Sequence, residues 1–244
     1  MSSRPVRLWY DMYSCWPFSV NQIYMRYRRP RKEKKPTTTV EEKKLFLEPQ
    51  YTKSQVIDLD IRELVRLPKG LELNEWLVSN CLSFFNNINV LYGVVSEFCT
   101  NESCPIMIAP CNTQYFWYDD KGRKMKCTGP QYTDYVMSYI QMNIQDETVF
   151  PVKYGQVFPS NIESIMHKIL RYLFHVLAHI YHSHFEQLVF FQLHAHLNCI
   201  LVQLVLFSYE FNILDSKEFT VLEDLISELN IMPSSDSHKA AEAS

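Results

Sequence analysis

The sequence predicts a mostly α-helical bundle with one small β-hairpin. Only five of the 244 residues are glycine, whereas apolar residues make up 47% and aromatic residues 14%. This composition suits long helices better than the turn-rich strands of a sandwich. Apolar residues also recur at helical spacing, and capping patterns precede several of these stretches. We therefore expect one folded helical domain over residues 43–232.

The first long helix is predicted from about Asn74 to Tyr92. Asn74 can serve as its N-cap, and the apolar residues that follow recur at intervals of three and four, as on one helical face. An irregular segment with two prolines comes next. Residues 114–118 and 124–127 then flank the turn sequence Asp-Asp-Lys-Gly-Arg, which predicts the hairpin.

Four further helical runs are predicted in the second half of the chain. Two of them begin at capping boxes, Ser160 with Glu163 and Asp215 with Glu218, in which the side chain of each residue bonds the backbone of the other. The predicted runs cover about residues 132–145, 160–185, 186–207 and 215–229.

The charge is divided unevenly along the chain. Residues 1–40 hold nine Lys and Arg against two Asp and Glu, whereas the remainder holds fifteen against twenty-five. We expect residues 1–42 to be a basic, largely disordered extension and residues 233–244 a disordered tail. The basic run 26–35 is either a solvated linker or a nuclear-import or anionic-surface patch. The acidic body disfavours nucleic acid and suits a basic peptide or helix.

Several classes of function lack their motifs. The glycines are too widely spaced for a dinucleotide fingerprint, a P-loop or a nucleophile elbow, and HExxH is absent. We thus expect no small-molecule substrate. The most apolar stretch, 188–207, carries polar residues throughout, which favours a buried helix over a membrane span. Seven cysteines without a secretory signal indicate reduced thiols and a cytoplasmic and nuclear location.

A metal site is the main chemical possibility. Cys99 and Cys104 are five positions apart in a predicted loop, a usual half-site for zinc, and four histidines lie between 175 and 184. Spacing alone does not choose among them. Two pairs, 175 with 179 and 179 with 182, share a helical face, whereas His179 and His184 are about 140° apart on an ideal helix and need a bend or helix end between them.

The number of ligands decides between two kinds of site. Four protein ligands close the coordination sphere and make a structural zinc site, whose metal contributes folding free energy. An open site with three ligands and a general base, for which Glu97 or Glu102 could serve, would instead predict a zinc enzyme.

Several short motifs lie within about residues 45–230, namely Leu67-Pro-Lys-Gly70, Leu73-Asn-Glu-Trp76, Glu97-Phe-Cys99, Cys104-Pro105, Ala178-His-Ile-Tyr181, Ala195-His-Leu-Asn198 and Glu210-Phe-Asn212. In matching order, they resemble the Mob family of kinase co-activators. A further stretch, 111–118, resembles the Mob-two subgroup, whose members partner NDR-type kinases of the AGC class.

The resemblance implies a non-catalytic adaptor with one structural zinc. It assigns the metal ligands to Cys99, Cys104, His179 and His184. The implied partner is the basic N-terminal regulatory region of an NDR-type Ser/Thr kinase, whose activity the adaptor modulates, upwards or downwards.

The same resemblance places the kinase-facing surface at Glu72, Glu75 and Trp76. Aromatic residues often anchor interfaces, but a tryptophan at helical spacing is equally suited to the core. The two glutamates could likewise be a solvated first turn that complements the helix dipole.

One position set departs from the family pattern. The Mob-one subgroup has a basic triad for phosphorylated peptides, and here its positions hold Arg171, Tyr172 and His175. Only Arg171 keeps a fixed positive charge, whereas phosphate favours several cations or bidentate guanidinium groups. We expect weak phosphate binding by Arg171 and His175 at most. The alternative function is a phosphopeptide-binding scaffold without direct kinase regulation.

Overall fold

The computed structural model describes residues 44–54, 56, 60–151 and 157–231, and these are mostly helical. The predictions for residues 1–42 and 233–244 lie outside this part of the chain. The described residues belong to one compact unit that begins at Lys44. The helices are α1 (Pro49–Thr52), α2 (Ile61–Val65), α3 (Leu73–Val95), α4 (Gly129–Gln145), α5 (Ile162–Ser183), α6 (Phe185–Phe190), α7 (His194–Glu210) and α8 (Glu223–Glu228).

The core forms where α3 and α5 pack against each other, with α7 against α3 and with α4 and α6 against α5. The apolar face of α3 is buried as its periodicity predicts. Its start differs from the prediction, because the N-cap is Glu72, whose carboxylate accepts a hydrogen bond from the backbone N–H of Glu75. Asn74 lies inside the first turn. In α5, buried residues surround almost the whole second half, so this helix runs through the centre of the domain.

The helical run predicted from residue 160 has different ends in the structure. Its N-cap is Asn161, without a side-chain cap, so the predicted box of Ser160 with Glu163 does not form. Ser160 instead lies in a turn. In this turn, the N–H of Ile162 donates a hydrogen bond to the carbonyl of Pro159 at 3.0 Å. The helix ends at Ser183, and the following run is divided into α6 and α7 by a break at residues 191–193.

Two short antiparallel hairpins replace the single predicted one. In the predicted hairpin, β3 (Trp117–Tyr118) pairs with β4 (Lys124–Met125). The additional hairpin pairs β1 (Ile108–Ala109) with β2 (Thr113–Gln114). Two residues of its turn, Cys111 and Asn112, have φ of 59° and 54°. Asparagine adopts this conformation readily but cysteine does not, so the turn has only a weak sequence signal.

The last predicted capping box is half correct. Asp215 caps a short 3-10 helix, Ser216–Leu222, which leads into α8. The side chain of Glu218 instead contacts α5.

At the other end of the described chain, Lys44 forms an ion pair with Asp224 of α8. No helix in the described part of the chain combines the length and apolarity needed to cross a membrane.

Candidate metal centre

The structure brings Cys99, Cys104, His179 and His184 together in one buried cluster. The two cysteines lie in the loop that follows α3, where the N–H of Cys104 bonds the carbonyl of Thr100 at 2.8 Å. Both histidines lie near the end of α5. His184 is the first residue after the helix, with φ −134° and ψ 12°. The helix end that this histidine pair requires is therefore present between its members.

The four ligand atoms all lie within 4.8 Å of one another. The Sγ of Cys99 is 3.5 Å from Nε2 of His179, and the Sγ of Cys104 is 3.5 Å from Nε2 of His184. Within the described residues, this is the one group of three or more Cys, His, Asp or Glu side chains arranged closely enough to hold a metal ion. Two thiols and two imidazoles that converge in this way fit one ion with four protein ligands.

The outer hydrogen bond of His179 fixes which nitrogen faces the cluster. Its Nδ1 donates to the carbonyl oxygen of Ile108 at 2.8 Å, and Nε2 keeps its lone pair for the centre. The Nδ1 of His184 is buried without a hydrogen-bond partner among the described residues. The ring centroids of the two histidines are 5.3 Å apart and their planes are nearly perpendicular.

The two thiols share one hydrogen bond. The pKa of Cys104 is lowered because the Cys99 thiol donates to its sulfur and because both histidines lie beside it. The pKa of Cys99 is raised by the same bond and by burial. Burial, with the nearby Cys99, raises the pKa of the Tyr92 hydroxyl. Since thiolate is the metal-binding form of cysteine, a metal ion at this centre would displace the proton that the two sulfurs share.

Two backbone features of the centre were not predicted from the sequence. The N–H of Gly129, at the start of α4, donates to the carbonyl of Cys104 at 2.9 Å. A Cβ on Gly129 would lie 2.7 Å from Nε2 of His179, so the first turn of α4 packs directly against the cluster. The sequence does contain a signal for the start of α4, because Thr128 and Gln131 form a capping box. The carbonyl of Ile108 had no sequence signal.

The residues predicted to face a kinase separate into two groups. Glu72 and Glu75 are exposed at the start of α3. Trp76 is only 7% exposed, and its indole N–H donates to the carbonyl of Val65 at 3.2 Å. Trp76 therefore packs as a core residue that fixes α2 against α3, and the exposed part of this surface consists of the two carboxylates.

The residues predicted to bind phosphate, exposed Arg171 and buried His175, both lie beside the carboxylate of Glu218. Arg171 Nε donates to Oε1 of Glu218 at 2.8 Å, and Nε2 of His175 is 3.5 Å from Oε2 of the same carboxylate. His175 is 6% exposed, and burial lowers its pKa. Tyr172, the third position of this set, is also buried and packs against Trp117.

Comparison with known proteins supports the resemblance found in the sequence. Residues 53–222 match the Mob1/phocein family. The chain belongs to this family. Over 192 residues, a Mob1/phocein protein of Mus musculus, "MOB kinase activator 2", is 55% identical, and the alignment covers 79% of this chain and 80% of the relative.

Two further Mob1/phocein relatives extend the comparison. The Homo sapiens "MOB kinase activator 2" is 54% identical over 192 residues, with the same coverage. The Drosophila melanogaster "MOB kinase activator-like 2" is 44% identical over 195 residues, 80% of this chain and 34% of the relative. The predicted family is confirmed, and with it the prediction that the chain is not an enzyme, because Mob proteins are kinase-activating adaptors.

Proposed function

We propose that this protein is a non-catalytic adaptor that binds the basic N-terminal regulatory region of an NDR-type Ser/Thr kinase and modulates its activity. The observation that carries the proposal is the match of residues 53–222 to the Mob1/phocein family, together with 54–55% identity to proteins named MOB kinase activator 2. The NDR-type partner follows from the similarity of residues 111–118 to the Mob-two subgroup.

We further propose that the buried cluster holds one structural zinc ion. Zinc takes thiolate and imidazole ligands in a tetrahedron, and Cys99, Cys104, His179 and His184 offer two of each. Four protein ligands leave no coordination position for water or substrate, so a bound ion stabilises the fold and supplies no catalysis. The ion would join the loop after α3 to the end of α5.

The exposed carboxylates at the start of α3 support a basic partner. Glu72 and Glu75 lie in the first turn, and the chain after residue 40 carries an excess of ten acidic residues over basic ones. A cationic helix that meets this surface gains mainly association rate and register from charge complementarity. Because the Glu72 carboxylate also caps α3, Glu75 is the better position for testing partner binding.

The proposal is tested by isothermal titration of the zinc-loaded protein with a peptide from the basic N-terminal region of an NDR-type kinase, at two salt concentrations. We expect micromolar or tighter binding that weakens with salt. Glu75→Lys should abolish it, whereas Glu228→Lys, the same charge change on exposed α8, should not. Absence of binding by the folded wild-type protein would refute the partner assignment and leave the family and the metal centre in place.

The cellular location of the adaptor is a further part of the proposal. We propose a cytoplasmic and nuclear location, in which the basic run 26–35 assists nuclear import. Imaging of a fluorescent fusion with and without lysine and arginine in this run tests the role, and an unchanged nuclear fraction would contradict it.

The direction of the effect on the kinase is a separate question. Kinase assays with the purified protein, alone and beside a second Mob protein, decide whether binding activates the kinase or competes with an activator.

The alternative function, a phosphopeptide-binding scaffold, depends on Arg171 and His175. Both already contact Glu218, and His175 is buried. These contacts favour the kinase adaptor over the scaffold. If the scaffold were correct, an Arg171→Ala protein would lose binding to a phosphothreonine peptide, whereas unchanged peptide binding would exclude this role for Arg171.

A further inference from the structure

Three helix ends enclose an apolar groove at the surface of the domain. The groove lies between the start of α3, the first two turns of α5 and the segment that follows α7. Its volume is about 380 Å³, which is within the usual range for a ligand pocket. Apolar side chains provide most of its lining, namely Leu73, Leu77, Met166, Phe211 and Ile213.

The floor of the groove belongs to the core, but one of its walls is open to solvent. Leu77 and Met166 are 5% and 1% exposed, whereas Leu73 is 41% exposed. Leu73 and Leu77 are four residues apart and share one face of α3. The groove is therefore one end of the buried face of α3, an end that the described residues leave uncovered.

The wall formed by the end of α7 is held in place by its own backbone. Asn212 has a φ of 50°, a left-handed conformation that asparagine adopts readily. The N–H of Ile213 then donates to the carbonyl of Ser208 at 3.0 Å, which is the longer hydrogen bond of a Schellman motif. The ring of Phe211 packs against Phe207 at a centroid distance of 4.9 Å. Because this wall is already ordered, a ligand binds it with little loss of side-chain freedom.

One carboxylate sets the charge of the groove. Glu163 lies in the first turn of α5, where it is exposed and forms no ion pair among the described residues. Neither lysine nor arginine belongs to the described lining, and His167 is its other titratable residue. The positive end of α5 and the negative end of α7 offset each other, so the charge of Glu163 makes the groove negative. The acidic excess of the chain after residue 40 has the same sign at longer range.

The elements around the groove indicate how a peptide would bind there. All of its described lining belongs to helices or to the segment after α7, so it offers a peptide no strand edge to extend. Phe211 is the one aromatic residue of that lining, whereas polyproline segments bind grooves lined with several aromatic rings. An apolar groove between helices instead suits an amphipathic helix, which presents apolar side chains at intervals of three and four residues.

We propose that the groove docks a basic amphipathic helix of a partner protein, with apolar side chains in the groove and a lysine or arginine at Glu163. Leu73 and Glu75 are two residues apart on α3, which separates their directions by about 200°. The groove therefore lies on a different side of this helix from the carboxylate proposed to face the kinase. The inference goes beyond kinase binding and describes a second surface that does not depend on it.

The test is a titration of the zinc-loaded protein with an acetylated and amidated peptide of three Leu-Lys-Lys-Leu repeats, followed by methyl NMR. The Met166 methyl group reports on the groove, and that of Met142, which is exposed on α4, serves as the reference. We expect a saturable shift at Met166 and none at Met142. A peptide of Leu-Glu-Glu-Leu repeats should bind about tenfold more weakly or worse, because its carboxylates are repelled by Glu163.

Variants of the protein separate the apolar contribution from the charge. Leu73→Ser should weaken binding of the basic peptide about tenfold or more, as expected for the lost burial of one leucine side chain. Met142→Ser, a matched apolar-to-serine change on exposed α4, should bind as wild type. Glu163→Gln should weaken binding about two- to fivefold, the usual size for an exposed ion pair. Glu75→Lys should behave like Glu228→Lys, because neither residue lies in the groove.

Several results would overturn the proposal. Wild-type affinity in both Leu73→Ser and Glu163→Gln would place the peptide elsewhere, and equal affinity for the two peptides would show that charge has no part. A Met166 signal that changes with protein concentration alone would assign the groove to a second copy of the chain. Absence of any shift at Met166 in the full chain would show that the groove is closed to this partner. A selective loss of binding in Glu75→Lys would make the groove part of the kinase-facing surface.

Discussion

Nδ1 of His179 donates to the carbonyl oxygen of Ile108 at 2.8 Å, although 71 residues separate the two in sequence. Ile108 begins the first strand of the β1–β2 hairpin. A histidine that ligates a metal commonly makes such a bond, because it fixes the tautomer and the ring orientation. This hydrogen bond therefore joins the hairpin to the proposed metal centre, so a structural change at one should alter the other.

Loss of the metal should destabilise the protein strongly. We expect Cys104→Ser, or treatment with a strong chelator, to lower the free energy of unfolding by several kcal/mol, because a structural ion contributes on the order of 10 kcal/mol. Thermal unfolding beside elemental analysis of the bound metal provides the measurement. Cys111→Ser is the matched control, since Cys111 is exposed and outside the cluster. An unchanged unfolding temperature after chelation would contradict a structural metal.

Metal removal should also loosen one hairpin more than the other. The N–H of Tyr115 bonds the Met107 carbonyl at 3.0 Å beside β1–β2, which reaches the centre through Ile108. The N–H of Asp119 bonds the Arg123 carbonyl at 3.1 Å in β3–β4, which has no such link among the described contacts. Hydrogen exchange of the metal-free protein should therefore speed up at Tyr115 more than at Asp119. Equal acceleration at both amides would argue against selective coupling.

Acid should destabilise the domain through His175. Burial lowers its pKa in the folded state, whereas the unfolded chain takes up a proton near pH 6.5. The unfolded state binds more protons below that pH, so the free energy of unfolding falls as the pH drops. The pKa of Glu218 is also lowered in the folded state, so the free energy of unfolding falls further as the pH drops near and below the ordinary value of 4.5.

Comparison with a variant isolates this contribution. Urea unfolding between pH 7.5 and 5.5 should show a shallower decline for His175→Gln than for wild type, because glutamine does not titrate. The histidines of the metal centre contribute to both proteins and cancel in the difference. Parallel pH profiles would show that His175 is not the titrating group.

Trp76 should matter for stability as a core residue. Trp76→Ala removes a 7% exposed ring and its hydrogen bond to the Val65 carbonyl, and we expect it to cost about 3–5 kcal/mol. Tyr118→Ala, at a side chain that is 52% exposed, should cost less than about 1 kcal/mol. Chemical denaturation compares the two. A small effect of Trp76→Ala would assign the tryptophan to the surface.

Thr128 should support both α4 and the metal-binding loop. Its hydroxyl caps the helix by accepting from the Gln131 N–H at 3.3 Å, and it donates to Asn101 at 2.7 Å in the loop between the two cysteines. We expect Thr128→Ala to cost about 1 kcal/mol, the usual value for an N-cap. Thr128→Ser keeps the hydroxyl and should unfold close to wild type in the same denaturation experiment. Equal losses in both variants would point to the methyl group.

Helical periodicity and motif order carried much of the information about this fold. The buried face of α3 follows from apolar residues three and four apart, a local pattern that tertiary packing did not override. Spacing alone did not choose between the candidate histidine ligands, and the resemblance to the family implied His179 and His184. The structure places both beside the cysteines, with the helix end between them.

The differences arise where a side chain has a distant partner. The pattern of Asp215 with Glu218 suggests a local capping box, but Glu218 contacts Arg171 and His175, more than forty residues away. The indole of Trp76 similarly finds the carbonyl of Val65 on another helix. Local spacing cannot reveal such contacts, because they depend on how the helices pack.

The four residues proposed as metal ligands come from two distant parts of the chain. Cys99 and His179 are 80 residues apart, and so are Cys104 and His184. At 5–20 residues per second, a ribosome adds 80 residues in roughly 4–16 s. During that interval the nascent chain exposes both thiols before either histidine exists, so they must stay reduced until α5 has been synthesised.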